Sequence, residues 1–245
     1  MKAMIFAAGL GTRLRPLTND RPKALVEVAG KPMLRRVIEN LIAYNFTDIT
    51  INVHHFGEKI IDFVAANDSF GVDIHISDER GMLLDTGGGI LKAREWLDGD
   101  EPFLVHNADI LTDLDLRKFS EYHLGHGADA TLLTARRSTA LYLLCDADSR
   151  LCGWVNKSTG DTLPAGVVYT PGEYQEMAFG GIHVISPSLF ESLAEYATEP
   201  KFSIVPFYVA MCRKLKIMSY APQGYRWFDV GKPETLALAS ASFGG

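Results

Sequence analysis

Cysteine is scarce in this chain: Cys145, Cys152 and Cys212 are the only three in 245 residues. None stands at Cys-x-x-Cys spacing and three cannot all pair, which argues against a disulfide framework and points to a reducing, cytoplasmic location. Long apolar runs are missing too. Lys2 followed by Ala3–Leu10 has the outline of a short signal peptide, but the run passes into a loop of glycine and arginine instead of a cleavage region. No later stretch reaches the length of a membrane span. Positive charge is in deficit, with 24 Lys and Arg against 30 Asp and Glu and a formal net charge of −6. That balance suits neither a nucleic-acid binder nor a membrane-surface protein. With 47% hydrophobic and 22% charged residues, nothing suggests disorder.

What positive charge there is gathers at one end. Residues 1–36 carry eight basic and two acidic side chains. Inside that stretch an apolar strand, Lys2–Ala7, runs into Ala8-Gly9-Leu10-Gly11-Thr12-Arg13-Leu14-Arg15-Pro16-Leu17-Thr18, and Arg21-Pro22-Lys23-Ala24-Leu25 follows. Gly9 and Gly11 can turn backbone amides toward one anion with no Cβ in the way, while Arg13 and Lys23 supply a planar fork and a point charge. A polyphosphate is the ligand this predicts. The two better-known glycine-rich loops do not fit: Leu14 stands where a dinucleotide fingerprint needs its third glycine, and Leu14-Arg15-Pro16 where a Walker A loop needs Gly-Lys-Ser/Thr. A nicotinamide-dependent dehydrogenase is thereby excluded.

Along the first half, strand and helix patterns alternate. Met33, Leu34, Val37, Ile38, Leu41 and Ile42 form a helical stripe opened by Pro32. Strands are predicted at Asp48–Val53, Val72–Ser77 and Pro102–His106, and helices at Gly57–Ala66 and Gly88–Leu97. Past Ala130 the rhythm changes to a hairpin, Leu141–Asp146 with Leu151–Lys157, then a strand at Ala178–Ile185 and helices at Pro187–Tyr196, Ser203–Lys214 and Pro233–Ser242. Gly160–Gly172 reads as a surface loop. The expected fold is α/β: a doubly wound, Rossmann-like mixed sheet, mostly parallel, with helices on both faces and a small antiparallel extension. Ligands are then expected at the carboxyl ends of the strands. Repeats and linkers are absent, so one domain over 1–245 is expected.

Asp109 follows the strand at Pro102–His106, and Asp229 lies inside Trp227–Val230, so each can project from a strand end into one crevice. By residue type alone Asp109 is equally a turn or helix-capping aspartate, and Asp229 a turn residue before Gly231. Thr86-Gly87-Gly88-Gly89 opens a helix whose amides could meet a ligand, or simply permits a tight strand-to-helix turn. His54 and His55 follow a strand, where a metal pair is conceivable, but one packed strand-end residue and one polar pocket lining is the preferred reading; His106 adjoins Asn107 and has no partner at metal spacing.

Taken together, Gly9–Thr18 with Arg21–Leu25, Leu84–Ile90, Asn107-Ala108-Asp109, Gly180–His183 and Trp227–Glu234 resemble the signature of the sugar-1-phosphate nucleotidyltransferases. The resemblance spans nearly the whole chain. It implies in-line attack of a sugar 1-phosphate on the α-phosphorus of a nucleoside triphosphate, with pyrophosphate leaving. It gives catalytic roles to Arg13 and Lys23, and nucleotide contacts to Ala8, Gly9, Leu10, Gly11, Thr12, Thr86, Gly87 and Gly88. It assigns sugar-phosphate contacts to Asn107, Lys157 and Gly181, and a magnesium ion to Asp109 and Asp229. Two positions depart from the common pattern, Ala108 for glycine and Ala24 for proline.

A non-catalytic regulatory homologue would be expected to have lost its arginine, lysine or aspartates, and all are present. Within the family, the triple glycine and the Trp227–Glu234 ending resemble small bacterial enzymes that transfer uridylyl to N-acetylmuramate 1-phosphate or guanylyl to mannose 1-phosphate. Uridylyl transfer is the expectation. A lactyl carboxylate on such an acceptor would need a cation, and Lys201, Arg136 and Arg137 are the candidates. The sequence does not disclose an oligomeric state.

Overall fold

A computed structural model describes residues 1–244. The chain runs through β1 (Lys2–Phe6), β2 (Glu27–Val28), β3 (Lys31–Pro32), α1 (Met33–Ala43), β4 (Asp48–Val53), α2 (Gly57–Ala66), β5 (Asp73–Asp78), α3 (Asp85–Lys92), α4 (Arg94–Leu97), β6 (Phe103–Asn107) and β7 (Ile110–Thr112). It continues through α5 (Leu116–His126), β8 (Ala130–Ala135), β9 (Leu141–Cys145), β10 (Leu151–Asn156), β11 (Thr162–Leu163), β12 (Gln175–Ile185), α6 (Leu189–Tyr196), α7 (Ile204–Met211), β13 (Ile217–Tyr220), β14 (Trp227–Asp229) and α8 (Pro233–Phe243).

The periodicity explains most of these elements. Met33, Leu34, Val37, Ile38 and Leu41 are all buried along one face of α1, which starts straight after the extended Pro32. β1 is buried on both sides, as a central parallel strand must be: Ala3 and Ile5 enter one core and Met4 the other. Helices α1, α2, α5 and α8 cover the first core, and α3, α4, α6 and α7 the second. Helices therefore flank both faces of the sheet.

The main sheet has the order β11-β10-β9-β12-β6-β1-β4-β5, with β8 on β12 and β13 on β8. β6, β1, β4 and β5 pair in parallel, and so do β8 and β13, whereas β12 runs antiparallel to β6, β8 and β9. β12 serves two regions. Its first residues, Gln175–Met177, pair with β9 in the antiparallel extension, and Ile182–Ile185 pair with β6 in the doubly wound half. Its register against β8 shifts between Phe179 and His183, and Gly181 sits there with φ 74. A bulge at paired glycines bends the strand between the two regions.

Some elements go beyond the pattern read from sequence. α5 buries only Leu116, Phe119 and His123, too thin a stripe to stand out, and it begins where Asp115 accepts from the amides of Arg117 and Lys118 at 3.1 and 3.0 Å. The helix expected over Gly88–Leu97 begins earlier, at Asp85, and breaks at Ala93. The loop at 160–172 contains β11, which pairs with β10. Among the described residues no helix is long and apolar enough to cross a membrane.

Two histidines are built into this framework as neutral groups. His123 bonds Thr131 Oγ1 and Ser186 Oγ at 2.9 and 3.0 Å, and burial holds its pKa down to about 4. His183 bonds the Tyr208 hydroxyl at 2.6 Å, and burial pushes it to about 3. Both titrate near 6.5 when unfolded, so below that pH the unfolded chain binds more protons and the fold loses stability. His106 is held down to about 4 by burial as well, so urea unfolding followed between pH 7 and 4.5 is expected to show stability falling with pH, approaching a slope of roughly three protons. A flat profile would contradict the assignment of neutral imidazoles.

Candidate active site

The carboxyl ends of β1, β4 and β6 open into a cleft of about 470 Å³. Its lining takes in Ala8, Gly9, Leu10, Gly11, Thr12, Arg13 and Lys23 from the glycine loop and its sequel. Asn52, Leu83, Asp85, Thr86, Asn107, Asp109, Lys201 and Gly231 complete most of the wall. The two glycines of the loop have different reasons to be there. Gly11 is left-handed at φ 65, and a methyl on it would meet Lys23 Cβ and Thr18 Cγ2 at 3.0 Å. Gly9 has no protein atom within 4 Å of where a methyl would stand, so its bareness keeps the cleft itself open.

Arg13, Lys23 and Asp109 line the cleft, and a short ribbon brings Asp229, which does not itself line it, beside them. β14 pairs antiparallel with β7, setting Asp229 opposite Ile110, and the Val230 amide donates to the Asp109 carbonyl at 2.8 Å. Two aspartates 120 positions apart in sequence thus become backbone neighbours. The ribbon is clamped at its far end, where the Arg226 side chain and backbone amide donate to Asp113 at 2.7 and 2.6 Å. The Trp227 indole ties it to the β12 bulge by donating to the Gly180 carbonyl at 2.9 Å. Lys23 donates to the Asp109 carboxylate, and both side chains are mostly buried. A methyl built at Gly231 would lie 2.7 Å from Asp229 Oδ1, 3.0 Å from an Arg13 Nη2 and 3.3 Å from Lys23 Nζ, so these three groups surround one α-carbon. Gly181 backs onto the same corner, since its methyl would meet Asn107 Nδ2 and Ile110 Cγ1 at 2.9 Å.

A second wall is organised by groups that sequence reading passed over. Asn52 accepts from the Ala7 amide at 2.8 Å and donates to Glu79 Oε1 at 2.7 Å, and Glu79 Oε2 accepts from the Leu84 amide at 3.0 Å. This buried chain of hydrogen bonds joins the ends of β1, β4 and β5 to the turn before α3. Glu79 is 1% exposed and has only neutral donors. Its position after a run of charged residues, Asp78-Glu79-Arg80, carries no sign of burial. Gly89 is required by it, because a methyl there would stand 2.9 Å from Glu79 Oε1.

Not every expected residue faces the cleft. The amides of Gly87 and Gly88 both donate to the Phe202 carbonyl, at 2.9 and 3.2 Å, so packing accounts for these glycines. A methyl on Gly87 would enter the Phe202 ring and one on Gly88 would stand 2.1 Å from the Pro200 carbonyl oxygen. Thr86 does line the cleft, while its hydroxyl accepts from the Ile204 amide at 2.9 Å and so caps α7. Asp85 beside it holds φ 60, a left-handed conformation unusual for a residue with a Cβ. Lys157 stands apart on the antiparallel extension, paired with Glu176 at 2.8 Å and with the Tyr169 hydroxyl. His54 bonds the Glu79 carbonyl at 2.7 Å, and the His55 ring lies 4.1 Å from that of Phe56, tilted by 44°. The His106 pKa is held down to about 4 by burial, leaving a neutral ring behind Asn107.

A glycine loop, convergent cations and two adjoined carboxylates at strand ends describe a site for polyanion chemistry in a doubly wound sheet. The comparisons agree. The nucleotidyl transferase family model matches residues 2–243, and the chain belongs to that family. It is 36% identical to an N-acetylmuramate alpha-1-phosphate uridylyltransferase of Caulobacter vibrioides, covering 98% of this chain and 95% of that one. It is 31% identical to a mannose-1-phosphate guanyltransferase of Schizosaccharomyces pombe across 96% of its own length but only 62% of the relative's. The crystal structure of HddC from Yersinia pseudotuberculosis, complexed with GMP-PN, shares the fold at a TM-score of 0.75 and 24% identity over 99% of both chains. The protein is a nucleotidyltransferase enzyme.

Gly231 offers a test of the convergence. Gly231→Ala places a methyl against the Asp229 carboxylate, and shifts of an ångström in such groups cost about 10²-fold in rate. The variant is expected to lose turnover on that scale, measured by pyrophosphate release, with its thermal unfolding midpoint nearly unchanged. Full activity would show that the crowding is harmless.

Proposed function

We propose that the enzyme transfers a uridylyl group from UTP to N-acetylmuramate 1-phosphate, releasing pyrophosphate. Likeness to the Caulobacter uridylyltransferase, which extends over nearly the full length of both chains, is the observation that carries the choice. In this reading the Gly9–Thr12 loop and Thr86 hold the nucleotide from two walls of one cleft, and Gly87 and Gly88 serve it only by letting the turn pack on Pro200 and Phe202. Arg13 meets the phosphates that become pyrophosphate, and Lys23 steadies the reacting phosphate. Asn107, Gly181 and Lys157 hold the sugar phosphate, with Lys157 leaving its Glu176 partner when substrate arrives. An acceptor phosphate oxygen attacks in line, and no covalent enzyme intermediate is needed. The site and the matched family model lie within one nucleotidyltransferase domain, which works in the cytoplasm on small molecules that feed cell-wall synthesis.

Asp109 and Asp229 are the residues that would hold magnesium. Among the described residues no cluster of three or more His, Cys, Asp or Glu could bind a metal alone. Magnesium does not need one: it takes one or two protein carboxylates and completes its shell with water and substrate phosphates. Two carboxylates, Asp109 in the turn between β6 and β7 and Asp229 at the end of β14, match that demand. The ion's contribution when bound is to neutralise charge on the reacting phosphates. Lys23, which contacts Asp109 in this structure, is then free to turn to phosphate.

Removing either carboxylate deletes one charge from a site that stabilises several kcal/mol of transition-state charge. Asp109→Asn and Asp229→Asn are each expected to lower turnover by about 10²-fold or more with the fold intact. Steady-state kinetics across a magnesium titration checks this, and a variant with near-normal magnesium-dependent turnover would drop out of the metal site. The substrate assignment is tested by a matrix of UTP, GTP, dTTP and CTP against the 1-phosphates of N-acetylmuramate, mannose, glucose and N-acetylglucosamine. UTP with N-acetylmuramate 1-phosphate is expected to give the highest kcat/KM. Dominance of GTP with mannose 1-phosphate, as the name of the Schizosaccharomyces relative would suggest, overturns the choice of substrates and leaves the reaction type standing.

A further inference from the structure

Three cations were candidates to meet a carboxylate on the acceptor, and the tertiary structure separates them. Lys201 lies at the cleft wall formed by Leu83, Asp85 and Thr86. Its segment is docked on the turn before α3, where the Phe202 amide donates to the Leu84 carbonyl at 3.1 Å. That is the nucleotide side. Arg136 is exposed at the end of β8. Arg137 differs from both. It is half-buried, its guanidinium lies 3.9 Å from the centre of the Trp227 ring, and one of its nitrogens donates to the Phe179 carbonyl.

This position is the corner where the β12 bulge meets the β7–β14 ribbon. Trp227 is two residues before Asp229, its indole holds the Gly180 carbonyl, and Gly181 abuts Asn107. Burial acts against the Arg137 charge, and the carboxylate that influences it, Asp229, does so from a distance without a hydrogen bond. Among the described residues the guanidinium has no ion-pair partner. One carbonyl and one aromatic face use only part of its donor set, since a guanidinium offers five N–H groups in a fixed fork. A guanidinium losing hydration without a paired anion costs free energy, and so does a ligand carboxylate removed from water alone. Each cost is offset if the two meet.

We propose that Arg137 is the specificity-determining residue that receives the carboxylate of the acceptor sugar. Trp227 fixes the plane of its fork, the Phe179 carbonyl fixes its rotation, and the remaining N–H groups are left to face a bidentate oxyanion. This inference rests on the reading of the acceptor as N-acetylmuramate 1-phosphate, whose lactyl ether carries the carboxylate.

The test compares N-acetylmuramate 1-phosphate with N-acetylglucosamine 1-phosphate, which lacks only that lactyl group, in the wild-type enzyme and in Arg137→Met and Arg137→Lys. In Arg137→Met, kcat/KM for N-acetylmuramate 1-phosphate is expected to fall about 30-fold further than for N-acetylglucosamine 1-phosphate, with most of the loss in KM. Arg137→Lys is expected to recover part of the difference, because it restores charge without the fork. The ratio of the two specificity constants does not depend on what fraction of a variant is folded, so a stability defect cannot imitate the result. Equal losses on both sugars would overturn the role of Arg137, placing it on a group that both acceptors share or in structure alone. Wild-type enzyme that shows no preference for the carboxylated sugar would instead overturn the substrate reading, before any variant is considered.

Discussion

The pairing of three residues with three others, Trp227–Asp229 with Ile110–Thr112, holds the site together. Without it Asp229 would belong to a C-terminal segment with no fixed relation to β6, and Gly231 would not wedge between Asp229, Arg13 and Lys23. A two-strand ribbon of this length is marginal by itself. Here it is clamped at Asp113 and Arg226, and held at Trp227 by the Gly180 carbonyl. The ribbon therefore inherits its rigidity from β12, the strand that also ties the doubly wound half to the extension.

The opposite wall depends on a different device. A chain of buried hydrogen bonds from Ala7 through Asn52 and Glu79 to Leu84 sets the distance between the glycine loop and the turn before α3. Buried polar networks of this kind are demanding, because a missing member leaves a desolvated group without a partner. In return they position a wall with little freedom. The cleft thus lies between one element fixed by a backbone ribbon and another fixed by side chains, and substrates that bridge the two walls meet groups already in place.

Phosphate chemistry and family were legible in the sequence because they depend on local residue order. A loop that must expose amides to an anion needs glycines at fixed offsets, and Gly9, Gly11, Arg13 and Lys23 all line the cleft. The alternation of strands and helices was legible for a similar reason, since burial of one face stamps a period on the sequence. Motif order was less informative about individual glycines. Gly87 and Gly88 stand in a signature associated with nucleotide binding, yet their amides are bonded to Phe202 and their missing side chains make room for Pro200 and Phe202.

By itself, then, the sequence determined the glycine loop, the cations behind it, the doubly wound order and the two aspartates as a pair worth joining. Only the tertiary structure decided which distant groups meet. It placed Glu79 in a buried network, aligned Asp229 with Ile110, set Lys157 against Glu176 and laid Arg137 on Trp227. The physical reason is that each of these contacts costs the ordering of chain segments far apart in sequence and is returned only by burial in the finished fold. A residue type states what a side chain can bond, and the packing around it selects the partner.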